Sequence, residues 1–221
     1  MTYFTPEFLK FLQGLSENNT KEWFDKNRKT YEREVKEPFK LFVGEMIQRI
    51  NQYDPDVKIE PKDAIFRINR DTRFSKDKRP YKTSVSANIS PYGKKDKAFP
   101  GFYFELATEA VSVIGGAYMI DKETLAKIRE LIASNPLSFR AQLESDGFSE
   151  KFGQLQGEQH KRLPADLKEL AQSEPLIANK QFFYKAEISP KLITSSKLPD
   201  VLMEYYLAGK EVNDFLKKAW V

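Results

Sequence analysis

The sequence contains no cysteine and only one histidine, His160. Without thiols the chain can form no disulfide, no cysteine-based catalytic centre and no zinc–thiolate site. A single histidine cannot build a histidine-clustered metal centre, and a Ser-His-Asp triad would depend on this one residue. His160 lies in the polar stretch GEQHKRLP, where an exposed histidine without a catalytic role is the default interpretation. The composition therefore excludes most chemistry that relies on sulfur or on several imidazoles.

Long apolar runs are also absent, because no stretch approaches the roughly 20 residues that a transmembrane helix needs. The N-terminal stretch carries Thr5, Pro6 and Glu7 where a secretory signal peptide would be apolar. We therefore predict a cytoplasmic protein with no membrane partner. The 17 phenylalanines and 10 tyrosines supply apolar surface for a folded core, and the length favours a single domain spanning residues 1–221.

The positive charge is concentrated in one part of the chain. The net charge is +4, but residues 67–97 contain ten basic and three acidic side chains, so this basic segment carries +7 and the remainder carries −3. Charge spread evenly over a chain indicates little beyond solubility. A local excess of this size indicates a recognition surface.

Hydrophobic spacing predicts helices at both ends of the chain. The clearest amphipathic stripe recurs at i, i+3, i+4, i+7, i+8 and i+11 and consists of Phe39, Phe42, Val43, Met46, Ile47 and Ile50. Capping residues and prolines set the expected helix limits. The predicted helices run from Pro6 to near Gly14, from about Lys21 to Glu34, from Pro38 through the stripe, from Asp121 to Pro136, and from Pro199 to Trp220 with a break at Gly209 as an option.

Alternation with period two predicts strands in the middle of the chain. The expected strands cover residues 63–69, 85–89 and 182–188, together with a hairpin over 102–113 that turns near Thr108 and Glu109 and is ended by Gly115 and Gly116. Residues 145–181 show no clear pattern beyond a short helix from Asp166. This order predicts an α+β fold, with a helical N-terminal part packed on a mostly antiparallel sheet and a C-terminal helix.

The arginine loop, which we define as residues 67–82 and which reads RINRDTRFSKDKRPYK, is the best candidate for a functional site. Guanidinium groups are planar, permanently charged and bidentate toward phosphate or carboxylate, and hydroxyl groups add neutral donors. We predict that this segment binds a phosphate-bearing or other anionic ligand. The candidate ligand-binding residues are Arg67, Arg70, Asp71, Arg73, Ser75, Lys78, Tyr81 and Lys82.

A structural role for the same arginines is the main alternative. Four carboxylates could pair with them and fix the loop to the sheet, namely Glu22, Asp71, Asp77 and Glu105. The protein would then be an interaction protein without a ligand site in this segment. The run of Lys94, Lys95 and Lys97 is more typical of a solvated loop tip.

Nucleic acid is a further candidate partner, because aromatic residues interleave with the basic ones. They are Phe66, Phe74, Tyr81, Tyr92, Phe99 and Tyr103, and bases could stack on such rings. The signatures of RNA-recognition, helix-turn-helix and zinc-finger modules are absent. No dinucleotide or P-loop motif and no metal-loop spacing occurs, so no cofactor and no metal is expected, no catalytic residue can be assigned, and enzymatic activity stays open.

Two blocks of the sequence resemble a bacterial and fungal family called domain of unknown function 2461. The first block is NNTKEWF at residues 18–24, and the second is the pattern RxxRDxRFSxDKxPYK. The second block matches at Arg67, Arg70, Asp71, Arg73, Phe74, Ser75, Asp77, Lys78, Pro80, Tyr81 and Lys82. Pro100, Gly101, Tyr103, Gly115 and Gly116 fit the same layout. The resemblance spans nearly the whole chain and implies one domain, but it implies no reaction, because the family has no established activity.

Overall fold

The computed structural model describes residues 2–220. Along the chain, helices precede, separate and follow the four strands of a small sheet. The N-terminal elements are α1, Pro6–Glu17; α2, Lys21–Lys26; α3, Arg28–Thr30; a π-helical turn, Tyr31–Lys36; α4, Glu37–Asn51; and α5, Pro61–Ala64. The strands are β1, Ser84–Ile89; β2, Gly101–Ala107; β3, Val111–Ala117; and β4, Phe182–Ile188. Between β3 and β4 lie α6, Lys122–Ser134; α7, Pro136–Leu143; α8, Asp146–Phe152; and α9, Ala165–Ser173, and the chain ends with α10, Leu198–Lys217.

The four strands form one antiparallel sheet in the order β1-β2-β3-β4. Side chains of β2 and β3 alternate between buried and half-buried, whereas every residue of β1 is buried. The predicted hairpin is confirmed as β2 and β3, and the predicted strands at 85–89 and 182–188 are confirmed as β1 and β4. The α+β class, with a helical N-terminal part and a C-terminal helix, is confirmed.

Backbone proximity divides the chain into two compact units. Unit 1 comprises Met1–Lys94, Tyr103–Val113 and Glu187–Met203. Unit 2 comprises Lys95–Phe102, Ile114–Ala186 and Glu204–Val221. The single domain expected from the length stays a prediction.

The core of unit 1 forms where the α4 stripe meets the sheet. All six apolar residues of the predicted stripe are buried in α4. The rings of Phe39 and Phe42 meet Phe104 of β2 edge to face, with centroid distances of 6.1 and 5.7 Å. Edge-to-face contacts of this kind add to the free energy gained by burying apolar area. The period of 3.6 residues therefore predicted both the helix and the face that it buries.

Two helix boundaries in unit 1 were predicted wrongly. The helix α1 continues through Gly14 to Glu17. Gly14 lies against the indole of Trp23, where a Cβ would come within 3.0 Å of the ring, so this glycine makes room for a side chain and does not end the helix. The second predicted helix begins as expected after Thr20, whose hydroxyl accepts a hydrogen bond from the Trp23 N–H. It is then interrupted at Asn27.

The strand predicted for residues 63–69 is not a regular strand. Residues Pro61–Ala64 form the short helix α5, which the proline in its first turn and the carboxylate of Asp63 favour. That carboxylate accepts a hydrogen bond from the Glu60 N–H at 3.3 Å. Beyond α5 the chain is extended but makes only isolated antiparallel bridges, from Ile65 to Ala87 and from Asn69 to Tyr81.

Three glycines in unit 2 serve close packing and neither end nor interrupt an element, so the strand end expected at Gly115 and Gly116 and the optional helix break at Gly209 are wrong. Gly115 and Gly116 lie inside β3, and Gly209 lies inside the unbroken α10. A Cβ on Gly115 or on Gly209 would come within 2.3 Å of the buried phenol of Tyr184. Gly116 adopts φ +91 next to the Phe182 carbonyl. These positions require glycine because no side chain fits.

The segment that showed little pattern, residues 145–181, contains α8, α9 and a 3-10 turn, Pro175–Ala178. The short helix expected from Asp166 is confirmed as α9, Ala165–Ser173. Pro136 does end the helix α6, but it also begins α7, where a proline in the first turn needs no N–H partner. Asp121 caps α6 as predicted, accepting a hydrogen bond from the Thr124 N–H at 2.8 Å.

Candidate anion-binding site

The arginine loop is the connection of a hairpin in unit 1. Its two arms are joined by the Arg70 N–H donating to the Pro80 carbonyl and by the Lys82 N–H donating to the Ile68 carbonyl, both at 2.8 Å. Between these two bonds Asn69 and Tyr81 face each other as an antiparallel bridge. In a bridge of this type the N–H and C=O of Tyr81 point away from the partner arm, and they need other partners.

The side chain of Asn19 supplies both partners. Its amide NH2 donates to the Tyr81 carbonyl, and its amide oxygen accepts from the Tyr81 N–H, each at 3.0 Å. Asn19 belongs to the first block of the family pattern and Tyr81 belongs to the second. The side chain of Asn19 therefore joins the two blocks, because it pairs with the Tyr81 backbone as a neighbouring strand would.

Tyr81 itself lies in the core of unit 1. Its residue exposure is 6%, and its ring stacks on Phe24 with centroids 4.1 Å apart and planes 13° apart. Burial raises the pKa of Tyr81. Because the ring is stacked and covered, Tyr81 holds the loop in place, and its predicted contact with a ligand stays a prediction.

Two Asp-x-Arg pairs organise the tip of the loop. The carboxylate of Asp71 accepts from the backbone N–H of Arg73 and from its guanidinium, at 2.7 Å to Nη2. Asp77 binds Arg79 in the same way, at 2.8 Å, and its Oδ2 also accepts from Arg70 at 2.6 Å. The structural pairing considered for Asp71 and Asp77 is thus present.

The pKa values of both aspartates are lowered by these contacts. For Asp77 the hydrogen bonds from the Arg79 side chain and backbone contribute most, followed by Arg70. For Asp71 the largest contribution is the Arg73 side chain. A carboxyl whose folded pKa is depressed contributes stability above its unfolded pKa of about 3.9, and this contribution is lost as the pH falls below that value. At neutral pH both carboxylates are therefore charged and hold the loop tip together.

The other predicted cations differ in whether they make hydrogen bonds, ion pairs or ring contacts. Lys78 donates to the Thr72 carbonyl at 2.9 Å, and the ammonium of Lys82 lies 5.2 Å above the Phe66 ring. Within residues 2–220, Arg67 and Lys76 form no hydrogen bond or ion pair, and Arg67 acts on Asp71 only through space. Ser75 is half-buried in the turn, and its N–H donates to the Thr72 carbonyl. The loop thus combines engaged and unengaged cations.

Phe74 is the most exposed large apolar side chain of the loop. It is 95% exposed at the tip, and the guanidinium carbon of Arg73 lies 5.7 Å from its ring centroid. The other aromatic candidates are less available, since Tyr103 is half-buried and donates its hydroxyl to Glu105 at 2.9 Å. An exposed phenylalanine between cations has no packing role in unit 1, which makes it a candidate contact for a partner.

The other residues weighed from the sequence lie outside the loop tip. Lys94 donates to the carbonyls of Lys62 and Ile65 at the C-terminal end of α5, so its role is structural. His160 lies in unit 2. Among residues 2–220, no group of three or more His, Asp or Glu side chains is arranged to hold a metal ion. No helix in this range combines the length and apolar character needed to span a membrane.

Sequence reasoning missed Arg79 as a loop-tip residue and Asn19 as the residue that fixes it. A signal for Arg79 was present, because Asp77 and Arg79 repeat the spacing of Asp71 and Arg73. No local signal identified Asn19, since its partner lies 62 residues away.

We expect Asn19→Ala to destabilise the protein by about 1–2 kcal/mol, because it leaves the part-buried N–H and C=O of Tyr81 without partners. Urea unfolding monitored by tryptophan fluorescence measures the change. The neighbouring Asn18→Ala is the matched control, since the Asn18 side chain is exposed and makes one bond to the Gly14 carbonyl. Equal effects of the two substitutions would contradict the role assigned to Asn19.

Comparison with known families gives one match. The model of the family described as a conserved hypothetical protein, DUF2461, matches residues 7–215. Searches of curated proteins and of solved structures found no match. The matched range covers both sequence blocks and more than nine-tenths of the chain, so the chain belongs to the DUF2461 family.

Proposed function

We propose that the arginine loop binds a phosphate-bearing ligand through its exposed cations. The observation that carries the proposal is the imbalance of charge. Seven basic side chains share two carboxylates within residues 67–82, which leaves a net charge of +5 on one loop. Arg67 and Lys76 remain without an ion pair among the described residues, and the Arg73 side chain is 77% exposed. A polyanion would find several donors there without any change of fold.

The ion pairs of the loop tip are compatible with ligand binding. Each guanidinium has five N–H donors, and in the Asp71 pair Arg73 uses only Nε and Nη2. Exposed ion pairs contribute little to stability, so a ligand that competes for these guanidinium groups would displace them at a small cost. The aspartates therefore orient the guanidinium groups while leaving donors available. The proposed cytoplasmic location is consistent with such ligands, and the observations identify no catalytic acid or base.

Single-stranded nucleic acid is a second candidate, favoured by the exposure of Phe74. Bases stack on exposed aromatic rings while cations contact the phosphates on either side, and each stacked base contributes about 1–3 kcal/mol. Phe74 with Arg73 and Lys76 offers this combination. An inorganic phosphate such as pyrophosphate has no base that could stack on the ring.

The test is the salt dependence of binding to a labelled oligothymidylate, measured by fluorescence anisotropy. For single strands each phosphate contact contributes about 0.7 to the slope of log affinity against log salt. We expect the variant with Arg67→Gln, Arg73→Gln and Lys76→Gln to bind more weakly and to flatten the slope by about 2. ADP and pyrophosphate, measured by thermal shift, report binding of small phosphates to the same loop.

A matched control removes three exposed cations of unit 1 outside the loop, Lys26→Gln, Lys29→Gln and Arg33→Gln, and changes the net charge equally. Equal losses in both triple variants would overturn the proposal, because the binding would then follow net charge alone. Phe74→Ala separates the two candidates, since it weakens oligonucleotide binding but leaves pyrophosphate binding unchanged. No binding of any of these ligands by the parent protein would favour purely structural arginines.

A further inference from the structure

A second candidate site lies wholly in unit 2, in an open cleft of about 1260 Å³. One wall is a single face of α6, whose lining residues follow helical spacing: Lys122, Leu125, Ala126, Arg129, Glu130 and Ala133. Pro164 and, from α9, Leu167 and Leu170 also line the cleft. Tyr118 and Met119, both more than half exposed, complete the apolar part. Concave apolar surfaces with a few polar groups are typical of ligand sites.

Arg129 is the principal polar group of this cleft. It is 9% exposed, and its Nε and Nη2 donate to the carbonyls of Ile177 and Asn179 at 2.9 and 3.2 Å. Burial lowers its pKa. No carboxylate among the side chains that the structure describes pairs with it. These two bonds leave three of the five guanidinium donors unused, and a buried cation without a counter-charge is unfavourable unless an anion joins it.

The charges around Arg129 favour an anion. Cationic side chains outnumber acidic ones along the lining, with Lys122, Arg129, Arg162 and Lys180 against Asp121 and Glu130. Asp121 is engaged in capping α6, and Lys180 makes a 3.2 Å ion pair with Glu158. His160 also lines the cleft, and its pKa is lowered by partial desolvation and by the charges of Arg129 and Lys180. The lining therefore combines a net positive charge with apolar surface.

We propose that this cleft binds a monocarboxylate with an apolar tail, the carboxylate on Arg129 and the tail against Leu125, Leu167 and Leu170. The planar guanidinium fits a carboxylate with two parallel hydrogen bonds. The apolar walls would bury the tail of such a ligand, which is favourable, whereas a small inorganic anion would leave these walls exposed to water. The site lies outside the arginine loop and is independent of the function proposed for that loop.

Octanoate is the probe, and His160 is a built-in reporter, because it is the only imidazole in the chain. We expect octanoate to bind saturably and to raise the pKa of His160, measured by NMR of its ring, since a bound anion offsets the nearby cations. Octanol, which lacks the charge, and acetate, which lacks the tail, are expected to bind at least about tenfold more weakly. Equal binding of octanol, or no shift of the His160 resonance with octanoate, would overturn the proposal.

Two variants localise the binding. Arg129→Gln removes the charge, and it is expected to abolish octanoate binding. Because Arg129 also binds two carbonyls, this variant could fail to fold, so Ala126→Phe provides a second test. Ala126 is exposed and lines the cleft, and a phenyl ring there fills the tail site without removing any charge. Lys127→Phe is the matched control on the same helix, outside the lining. Octanoate binding that survives Ala126→Phe, or is lost equally in Lys127→Phe, contradicts the assignment.

Discussion

Gly209→Ala is expected to destabilise the protein by about 2–3 kcal/mol and to lower its melting temperature by about 4–12 °C. Alanine is intrinsically a better helix residue than glycine by about 1 kcal/mol, so propensity alone predicts the opposite sign. The clash decides the outcome, because a Cβ at Gly209 would lie 2.2 Å from the Tyr184 hydroxyl oxygen. That hydroxyl donates to the Gly209 carbonyl at 2.9 Å and lies 3.0 Å from Oδ1 of Asn213, so the ring has no free direction in which to move.

The matched control is Gly44→Ala, within α4. The nearest atom to a Cβ there is in Pro61, at 3.6 Å, which is an ordinary contact. This substitution is therefore expected to raise the melting temperature, and differential scanning calorimetry of the two variants should give shifts of opposite sign. Tyr184→Phe in the Gly209→Ala background removes the nearest clashing atom, so the double variant should lose less than the sum of the single losses. If Gly209→Ala leaves the melting temperature unchanged, the Tyr184 ring can move away from the new Cβ, and the prediction is wrong.

The parts of the fold that follow from local periodicity could be predicted from the sequence. The α4 stripe, the β2–β3 hairpin and β4 each repeat with the period of their own element, and each was identified with its buried face. The capping residues Thr20 and Asp121 likewise act within three residues of their own position. Such signals can be recognised in the sequence alone because the residues that form them are neighbours along the chain.

The element ends expected at Gly14, Gly115 and Gly116 were wrong because the role of each glycine depends on a distant partner. Glycine in isolation indicates a helix end or a turn. Gly14 instead makes room for Trp23, and Gly115 and Gly209 make room for Tyr184, which lies 69 and 25 residues away along the chain. Tyr184 and its two glycine partners are too far apart in the sequence to fall within one local window. Packing between distant segments therefore overrides the local preference of glycine.

The candidate site was predictable in composition but not in arrangement. The charge count located the arginine loop, and the spacing of Asp71 to Arg73 and of Asp77 to Arg79 would have predicted the two pairs that order its tip. The sequence could not predict which of two aromatic residues of the loop is buried and which is exposed. Tyr81, chosen for its hydroxyl, is covered by Phe24, whereas Phe74 is exposed. Which ring is covered depends on the helix α2, which comes from the other sequence block.

The cleft of unit 2 was missed for a similar reason, although one signal was present. Arg129 interrupts an apolar stripe of α6 that contains Leu125, Ile128 and Ile132. A charge on the buried face of a helix requires compensation, so it identifies a position worth examining. Its acceptors lie about 50 residues further along the chain, in a segment without clear periodicity. The sequence could therefore identify the unusual residue but not the partners that hold it.

Arg140→Ala is expected to destabilise the protein by about 3 kcal/mol, because it leaves the Glu174 carboxylate buried without its counter-charge. The Glu174 side chain is only 3% exposed, and Arg140 binds it through Nε and Nη2 at 2.5 and 2.7 Å. After the substitution the carboxylate would retain one neighbouring donor, the Leu176 N–H at 3.1 Å. Calorimetry should show a fall of about 6–12 °C in melting temperature. Lys10→Ala, which breaks an exposed pair with Glu7, serves as the control and should change little.

Adding Glu174→Gln to Arg140→Ala is expected to restore part of the loss, since a neutral amide is less costly to bury than an unpaired charge. The pair also supports the cleft, because Glu174 caps the turn Pro175–Ala178, whose Ile177 carbonyl binds Arg129. Arg140→Ala should therefore weaken octanoate binding at a temperature where the variant is still folded, and the double variant should recover it in parallel with stability. If stability falls while octanoate affinity is unchanged, the turn does not position Arg129.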